Sequence, residues 1–242
     1  MQRAPRTRTA HALWLAAELT VTLGLVVLLL VVHQLWWTNQ QARAGARQQV
    51  RVLEAEFSQP QFPSQVPSPS PPPSGSAPGA ASAGPGGQDP SSSRPPAASA
   101  YAVLRIPALS LSVPVASGVS KRSVLDKGYV GHYLRTAPPG QPGNFALAGH
   151  RNTHGEPFRY INRLRTGDEI RVRTKEREYV YVVDQVLART SPRDTGVIAP
   201  VPRSLVHPSA GYDAPGSYLT LTTCTPEFSS AYRLVVWAKL KS

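Results

Sequence analysis

The feature that most constrains the fold of this chain is a proline-rich segment that interrupts it. Twelve of the 25 prolines lie between Ser58 and Ala100, among serine, glycine and alanine. Such a composition cannot bury enough apolar surface to form a core, so we predict a disordered linker over 58–100. Extended as polyproline II it would reach about 130 Å, enough to hold a domain away from a membrane. The chain therefore divides into an N-terminal element and a C-terminal domain.

The N-terminal element carries a long apolar run. No polar side chain interrupts residues 23–32, and the wider run over 13–35 is long enough to cross a bilayer, for which about 20 residues suffice. Tryptophans lie at both ends of the run, at positions 14, 36 and 37, where interfacial aromatic residues are enriched. Three arginines and no acidic residue precede the run, which favours a cytoplasmic N-terminus.

This pattern predicts three N-terminal segments. They are a basic cytoplasmic tail over 1–11, a transmembrane signal anchor over 12–37, and a juxtamembrane helical stub over 38–57. The predicted topology is single-pass type II in the cell membrane, with the C-terminal domain extracellular. The alternative is a cleaved signal peptide, but no small-x-small cleavage site follows the apolar run closely.

The C-terminal part of the chain alternates apolar and polar residues with a period of two. Four apolar residues alternate with two serines and a proline in 109–115, and Ile170 and Val172 alternate with arginines. Such alternation is typical of half-buried strands. Turns rich in proline and glycine separate seven runs of this kind. Many short strands with this spacing predict a mainly β domain over 101–242, either a barrel or a sandwich.

The formal net charge of the chain is +12, which raises the question of nucleic-acid binding. The basic residues are spread over strand faces and turns, and no basic recognition helix or aromatic stacking motif accompanies them. We therefore expect no nucleic-acid partner. Outside a cell, a basic surface suits anionic wall polymers or lipid headgroups, and a merely solvated basic surface is the alternative.

Cys224 is the only cysteine of the chain. A single cysteine excludes an intramolecular disulfide, a cysteine-based zinc site and an iron–sulfur cluster. Cys224 ends a predicted strand over 218–224, on a face that also carries two threonines, and Thr225-Pro226 then breaks the strand. We expect the thiol to leave the core and open into a cleft, where it could act as a nucleophile. The alternative is a buried, inert structural cysteine.

Arg233 begins the next predicted strand, nine residues after Cys224. Two strands joined by the loop 225–232 are expected to be antiparallel neighbours, which would bring Arg233 back beside Cys224. A guanidinium there would favour the thiolate and could stabilise the negative oxygen of a tetrahedral intermediate. The alternative is an arginine that points into water at the edge of the strand.

A thiol nucleophile near neutral pH needs a proton-transfer partner, and histidine is the usual one. His150 follows the buried-looking strand 144–149, so it emerges at a strand end as Cys224 does. This position favours His150, while His132 and His154 remain alternatives on these grounds.

Three segments together resemble the sortases, most closely the class E group of actinobacteria. They are Gly143–Thr153 (GNFALAGHRNT), Leu219–Pro226 (LTLTTCTP) and Arg233–Val236 (RLVV). The set of a TLxTC strand, an arginine nine residues later and an upstream histidine is specific to that family. The resemblance covers 101–242, and the anchor and linker match the family's type II topology. One departure is Thr225, where many relatives have asparagine, which could change the fit of the substrate.

The resemblance implies a closed, eight-stranded β-barrel and a cysteine transpeptidase that requires no metal or other cofactor. Cys224 would attack the Thr–Gly bond of a C-terminal sorting motif and form a thioester. His150 would protonate the leaving glycine amine and then deprotonate the acceptor amine, while Arg233 would bind the substrate backbone and the oxyanion. Class E relatives favour LAXTG over LPXTG, so a motif of this type is the expected substrate.

The resemblance also implies partners and further substrate contacts. The partners would be secreted proteins that carry a sorting signal, an acceptor amine from a peptidoglycan precursor or a pilin lysine, and the cytoplasmic membrane. Three residues are assigned to substrate binding: Thr222 and Thr223 within the matching segments, and His132 within Gly131-His132-Tyr133, which the resemblance also includes.

Other classes of protein fit the same residues less well. L,D-transpeptidases place serine and glycine beside the cysteine and an arginine two residues later, whereas threonines flank Cys224. NlpC-type peptidases place the cysteine before the histidine and at a helix start, which reverses the order in this chain. The non-enzymatic alternative is a membrane-tethered wall-binding module in which Cys224 has no chemical role.

Overall fold

The computed structural model describes residues 6–59 and 99–241, so most of the predicted linker lies outside the described residues. The described part contains one long helix, α1 (Arg6–Ser58), and eight strands. The strands are β1 (Ala100–Ile106), β2 (Leu111–Ser117), β3 (Val130–His132), β4 (Gly143–Ala148), β5 (Glu169–Arg173), β6 (Glu178–Thr190), β7 (Ser217–Thr225) and β8 (Tyr232–Leu240). Short 3₁₀ turns occur at Pro107–Leu109, Leu125–Lys127, Ile161–Arg163 and Thr195–Ile198.

The eight strands form a closed barrel in the order β1-β2-β3-β4-β7-β8-β6-β5, and pairing of β5 with β1 closes it. The sequence pattern allowed a barrel or a sandwich, and the barrel that the sortase resemblance implied is confirmed. Closure removes the unpaired sheet edges that a sandwich would leave. The pairs β2–β3 and β4–β7 are parallel and the others are antiparallel. The parallel pair β4–β7 brings the C-terminal ends of these two strands to the same end of the barrel.

Apolar side chains from alternate strand positions fill the barrel. In β5, Ile170 and Val172 are buried while Arg171 between them is exposed, as the alternation predicted. Tyr181 of β6 is also buried, and its hydroxyl accepts a hydrogen bond from the amide of Gly140 at 2.7 Å. Burial raises the pKa of Tyr181 to about 12. The core of the barrel is therefore apolar, with its one buried phenol kept neutral and hydrogen-bonded.

One predicted strand begins later than its sequence pattern indicated. The alternating run over 109–115 predicted a single strand, but the structure has a 3₁₀ turn at Pro107–Leu109 and begins β2 at Leu111. Proline has a fixed φ and no amide hydrogen for the ladder, so the chain turns there. Ser110 then takes a left-handed conformation with φ of 50°, which ends the turn and reverses the chain into β2.

The connection between β6 and β7 forms a second apolar cluster on the outward face of β8. The cluster comprises Val197, Tyr212, Tyr218, Val235 and Trp237. Asp194 organises the connection, because its Oδ2 accepts hydrogen bonds from the hydroxyls of Thr190 and Ser204, both at 2.5 Å. Burial would raise the pKa of the Asp194 carboxyl, but these hydrogen bonds outweigh it and hold the pKa below its usual value.

Helix α1 continues without interruption through the predicted anchor and the predicted stub. Among residues 6–59 and 99–241, it is the one helix long and apolar enough to cross a membrane. The mean hydropathy of its most apolar window is 2.5, and none of that window is buried against the barrel. These properties make α1 a candidate membrane span.

The C-terminal half of α1 packs against the barrel. Ala42, Ala46, Val50 and Leu53 form a buried stripe at helical spacing. Val50 and Leu53 share an apolar cluster with residues of β1, β2 and the following turn: Ala100, Val103, Ala116 and Val124. The expectation that the linker holds the domain away from the membrane does not fit this contact, because the helix itself binds the barrel.

Candidate active site

Cys224 lies at the C-terminal end of β7, one residue before the strand ends. The antiparallel register of β7 and β8 places it directly opposite Arg233, which confirms the pairing that the short loop predicted. Opposed residues in such a pair have Cα atoms about 4.5–5.5 Å apart. The cysteine is free and half-buried. The two strands therefore hold a guanidinium-bearing residue next to an accessible thiol.

The guanidinium of Arg233 lies on the loop that joins β7 to β8. Its Nη1 donates hydrogen bonds to the carbonyl oxygens of Ser230 and Tyr232, both at 2.9 Å. These partners are exposed, and hydrogen bonds exchanged with water contribute little net stability. The backbone of Arg233 is thus fixed in β8, whereas its guanidinium is held by hydrogen bonds that are easily replaced.

The parallel pair β4–β7 places His150 at the same end of the barrel as Cys224. The register ends with Ala148 opposite Thr222, and it continues beyond β4 because Gly149 N donates to the carbonyl of Thr222 at 3.2 Å. Thr223 Oγ1 donates to the carbonyl of Gly149 at 2.8 Å. Continued by one residue more, the register brings His150 alongside Cys224. The structure therefore gathers His150, Cys224 and Arg233 at one end of three adjacent strands.

Asp126 is hydrogen-bonded to the imidazole of His150. Its Oδ1 lies 2.8 Å from His150 Nε2, and both side chains are half-buried. When Nε2 donates to this carboxylate, Nδ1 is the ring nitrogen that is left to exchange a proton with a substrate. The carboxylate thus orients the ring, as the third member of a nucleophile–base–orienting group does.

Arg151, the residue after His150, is hydrogen-bonded to the end of β7. Its Nη1 donates to the carbonyl of Cys224 at 3.2 Å and to Thr225 Oγ1 at 2.8 Å. The residue is only 7% exposed. Because Arg151 follows His150 directly in the chain, these hydrogen bonds fix the backbone at His150 relative to Cys224.

Three residues of the site could hold a metal ion. The ligand atoms of Asp126, His150 and His154 lie within 4.8 Å of one another. The His154 ring is stacked on that of His150, with centroids 5.3 Å apart, and its Nδ1 is buried without a hydrogen-bond partner. Asp126 and His150, two of the three possible ligands, are already hydrogen-bonded to each other. The chemistry of a thiol and an imidazole requires no metal.

The residues assigned to substrate binding use their polar atoms within the fold. Thr222 Oγ1 donates to the carbonyl of Leu147 at 3.0 Å, and Thr223 is bonded to Gly149 as described above. His132 is 9% exposed; its Nδ1 lies 2.8 Å from Tyr101 Oη and its Nε2 3.2 Å from a backbone carbonyl. Burial lowers the pKa of His132, an effect that hydrogen bonds to backbone partly offset. These contacts tie strands together and use the hydroxyl protons of both threonines and both ring nitrogens of His132.

Two residues of the site had no sequence pattern that pointed to them. Asp126 lies in the 3₁₀ turn Leu125–Lys127, far from the matching segments, and only the fold brings it to His150. Arg151 lies within a matching segment, but its contacts to Cys224 depend on the parallel pairing of β4 with β7.

Comparison with known proteins agrees with this arrangement. Residues 104–241 match the family model described as the sortase domain. The chain is 42% identical over 228 residues to Sortase SrtE1 of Streptomyces coelicolor, which covers 92% of this chain and 55% of that protein. It is 34% identical over 245 residues to Sortase SrtE2 of the same organism, covering 99% and 86%. The chain thus spans about half the length of the first relative and most of the second.

A crystal structure of Sortase E1 from Streptomyces coelicolor, with a tripeptide in its active site, is 51% identical with a TM-score of 0.56. It covers 59% of this chain, which covers 88% of that one. Sortase E from Streptomyces avermitilis is 42% identical with a TM-score of 0.51, with the same coverage of 59% and 88%. A family model matched over more than half of the sequence and these relatives show that the chain belongs to the sortase family of cysteine transpeptidases and resembles its class E members.

Proposed function

We propose that this chain is a membrane-anchored transpeptidase that cleaves a LAXTG- or LPXTG-type sorting signal between Thr and Gly. The observation that supports this most is the convergence of His150, Cys224 and Arg233 at one end of β4, β7 and β8. A nucleophile, a proton-transfer group and a cationic donor in one place are the groups that acyl transfer from a peptide needs.

Acylation begins when the proton of Cys224 passes to His150, because the thiolate is the attacking species. The Cys224 Sγ forms a bond to the carbonyl carbon of the signal's Thr, and the carbonyl oxygen becomes negative. The C–N bond to Gly then breaks, and the leaving amine takes the proton from the His150 imidazolium. The products are a thioester on Cys224 and a free glycine amine.

Deacylation reverses these roles. An amine of the acceptor attacks the thioester carbonyl and passes a proton to His150. The new C–N bond forms, the C–S bond breaks, and the thiolate of Cys224 returns. A peptidoglycan precursor or a pilin lysine supplies the amine. Water in place of the amine gives hydrolysis.

Arg233 supplies positive charge where the oxyanion develops. Its guanidinium needs only to leave the exposed carbonyls of Ser230 and Tyr232, and a hydrogen bond from it to the oxyanion is worth more in a desolvated site than in water. Binding of the peptide backbone across the end of β7 and β8 would provide that desolvation.

The related Sortase E1 was crystallised with a tripeptide in the active site, which supports a peptide as substrate. Cytoplasmic residues 1–11, a span over 12–37 and an extracellular barrel give the type II topology. Finding a mature N-terminus near Asn39 would show instead that the apolar segment is a cleaved signal.

The test is mass spectrometry of products from LAXTG and LPXTG peptides incubated with candidate amines. Cys224→Ala should abolish both cleavage and transfer. His150→Ala should lower kcat by about 10²–10⁴-fold, the usual contribution of general acid–base catalysis. Arg233→Ala should lower it by about 10²–10³-fold, as loss of an oxyanion donor does.

Control variants make the result specific. His207→Ala removes an exposed histidine from the β6–β7 connection and should leave turnover unchanged. Loss in His132→Ala as large as in His150→Ala, in a protein that still folds, would reassign the proton-transfer residue. Full activity of Cys224→Ala would overturn the proposal, and a wild type that cleaves no sorting peptide would favour the wall-binding module.

A further inference from the structure

We propose that the docked part of α1 positions the active site: it clamps, at the level of the membrane surface, the two segments that support His150. The inference rests on the proposed function in one respect, that His150 is the proton-transfer residue. Its consequence is that the membrane helix contributes to turnover as well as to anchoring.

Three polar contacts of α1 lie on one loop of the barrel, and two ion pairs lie elsewhere, Glu54 with Arg105 and Glu56 with Lys175. Asn39 Oδ1 accepts a hydrogen bond from the amide of Gly155 at 2.6 Å. Arg43 Nε donates to the carbonyl of Gly155 at 3.2 Å, and Arg43 Nη2 donates to Glu156 Oε2 at 2.8 Å. The helix thus satisfies both backbone groups of Gly155 and the next side chain.

Glu156 makes this contact energetically significant because its carboxylate is buried. Its side chain is 6% exposed and is held by Arg43 and Arg159, each at 2.8 Å. Burial would raise the pKa of Glu156, but hydrogen bonds from Arg159 and Asn39 and the charges of both arginines outweigh it and lower the pKa. A buried carboxylate is costly unless it is paired. One of its two cationic partners is supplied by the helix.

Two glycines permit the close approach of the helix. A Cβ at Gly128 would meet the carbonyl oxygen of Ala42 at 2.9 Å and that of His154 at 3.2 Å, and Gly128 has φ of 78°. A Cβ at Gly155, where φ is 86°, would lie 3.4 Å from the amide nitrogen of Arg43. At Gly128 the helix and the turn are therefore packed without space for a side chain, whereas at Gly155 it is the positive φ that favours glycine.

Each clamped segment supports the imidazole of His150. Gly128 ends the 3₁₀ turn that carries Asp126, whose Oδ1 lies 2.8 Å from His150 Nε2. Gly155 follows His154, whose ring is stacked on His150. Movement of α1 away from the barrel would loosen both supports together.

The contacts between α1 and the barrel also fix the distance of the active site from the membrane surface. Trp36 and Trp37 mark the end of the apolar part of α1, and Asn39 lies two residues further along. At 1.5 Å of rise per residue this is about 3 Å along the helix axis. The loop that supports His150 therefore lies next to the interfacial tryptophans, and the active site faces a substrate at the bilayer surface.

The test uses the full chain in lipid vesicles and compares Arg43→Ala with Arg51→Ala. Arg51 is an exposed arginine of the same helix and has no role in the clamp. Arg43→Ala should lower kcat for the sorting peptide about tenfold with KM little changed, because the peptide itself does not contact the helix. Arg43→Lys should recover part of the rate, since it keeps a charge for Glu156. Arg51→Ala should match the wild type.

A second measurement does not depend on activity. Amide hydrogen exchange at Gly155 should become faster in Arg43→Ala, while the amides of β7 and β8 keep their protection. Unchanged kcat and unchanged exchange at Gly155 would overturn the inference. A wild type that cleaves no sorting peptide would overturn the proposed function, and the exchange result alone would then decide whether the helix clamps the loop.

Discussion

Replacing Asp126 by alanine measures how much of the rate depends on the orientation of His150. The two side chains are joined at 2.8 Å and are 35% and 18% exposed. A hydrogen bond to a charged group contributes about 1.5–3 kcal/mol, and partial exposure places this one near the lower end of that range. Since about 1.4 kcal/mol corresponds to a factor of ten in rate, Asp126→Ala should lower kcat about tenfold to thirtyfold.

Steady-state cleavage of one sorting peptide is the assay, with kcat and KM determined separately. Asp126 orients His150 and does not touch the peptide, so KM should change little. Asp126→Asn keeps an acceptor oxygen and should lose less activity than Asp126→Ala. Asp184→Asn is the matched control, because Asp184 pairs with Lys239 at 3.1 Å, and Lys239 lies near the opposite end of β8 from Arg233. Wild-type kcat in Asp126→Ala, with an unchanged melting temperature, would refute the orienting role.

Three further predictions concern the supports of the site and the fold. Arg151→Ala loses the hydrogen bonds to the carbonyl of Cys224 and to the adjacent threonine, so peptide cleavage should slow about tenfold; unchanged kcat would contradict this role. Asp194 has a lowered pKa, so its contribution to the free energy of unfolding is present above its unfolded pKa and is lost as pH falls through its folded pKa. Asp194→Asn should therefore destabilise the protein by about 1–3 kcal/mol near neutral pH in denaturant unfolding, and the difference should shrink below about pH 4; a pH-independent difference would argue against it. Leu53→Ala removes a side chain that is only 3% exposed, so it should weaken the packing of α1 on the barrel by about 2–5 kcal/mol. Protease cleavage within residues 42–57 should then become faster. Cleavage no faster than in the wild type would count against this prediction.

The part of the site formed by β7 and β8 could be predicted from the sequence. Both strands alternate clearly, and a short loop between two strands makes them antiparallel neighbours, so Arg233 had to return beside Cys224. The position of His150 is different. It depends on parallel pairing of β4 with β7, which no local pattern encodes, and the family resemblance supplied it.

The parts that could not be predicted depend on long-range packing. The sequence predicted a helical stub over 38–57, but nothing in it states that Val50 and Leu53 of this segment are covered by the barrel. Asp126 looks like an ordinary residue of a polar turn until the fold places it on His150. Thr222 and Thr223 were assigned to substrate binding because they lie beside Cys224 in a matching segment, but the sequence does not show that neighbouring carbonyls already accept their hydroxyl protons.

The parallel pairing of β4 with β7 also determines when the enzyme can first act. Gly149 and Thr223, which join the two strand ends, are 74 residues apart in the sequence, and contacts over such separations form slowly because a long loop must close first. Arg233 arrives later still, on the last strand. Until β8 pairs with β7 and β6, Cys224 therefore has no guanidinium opposite it. Catalytic competence therefore depends on β8, and a chain shortened before β8 would keep α1 and Cys224 but lose Arg233, which the proposed acyl transfer needs.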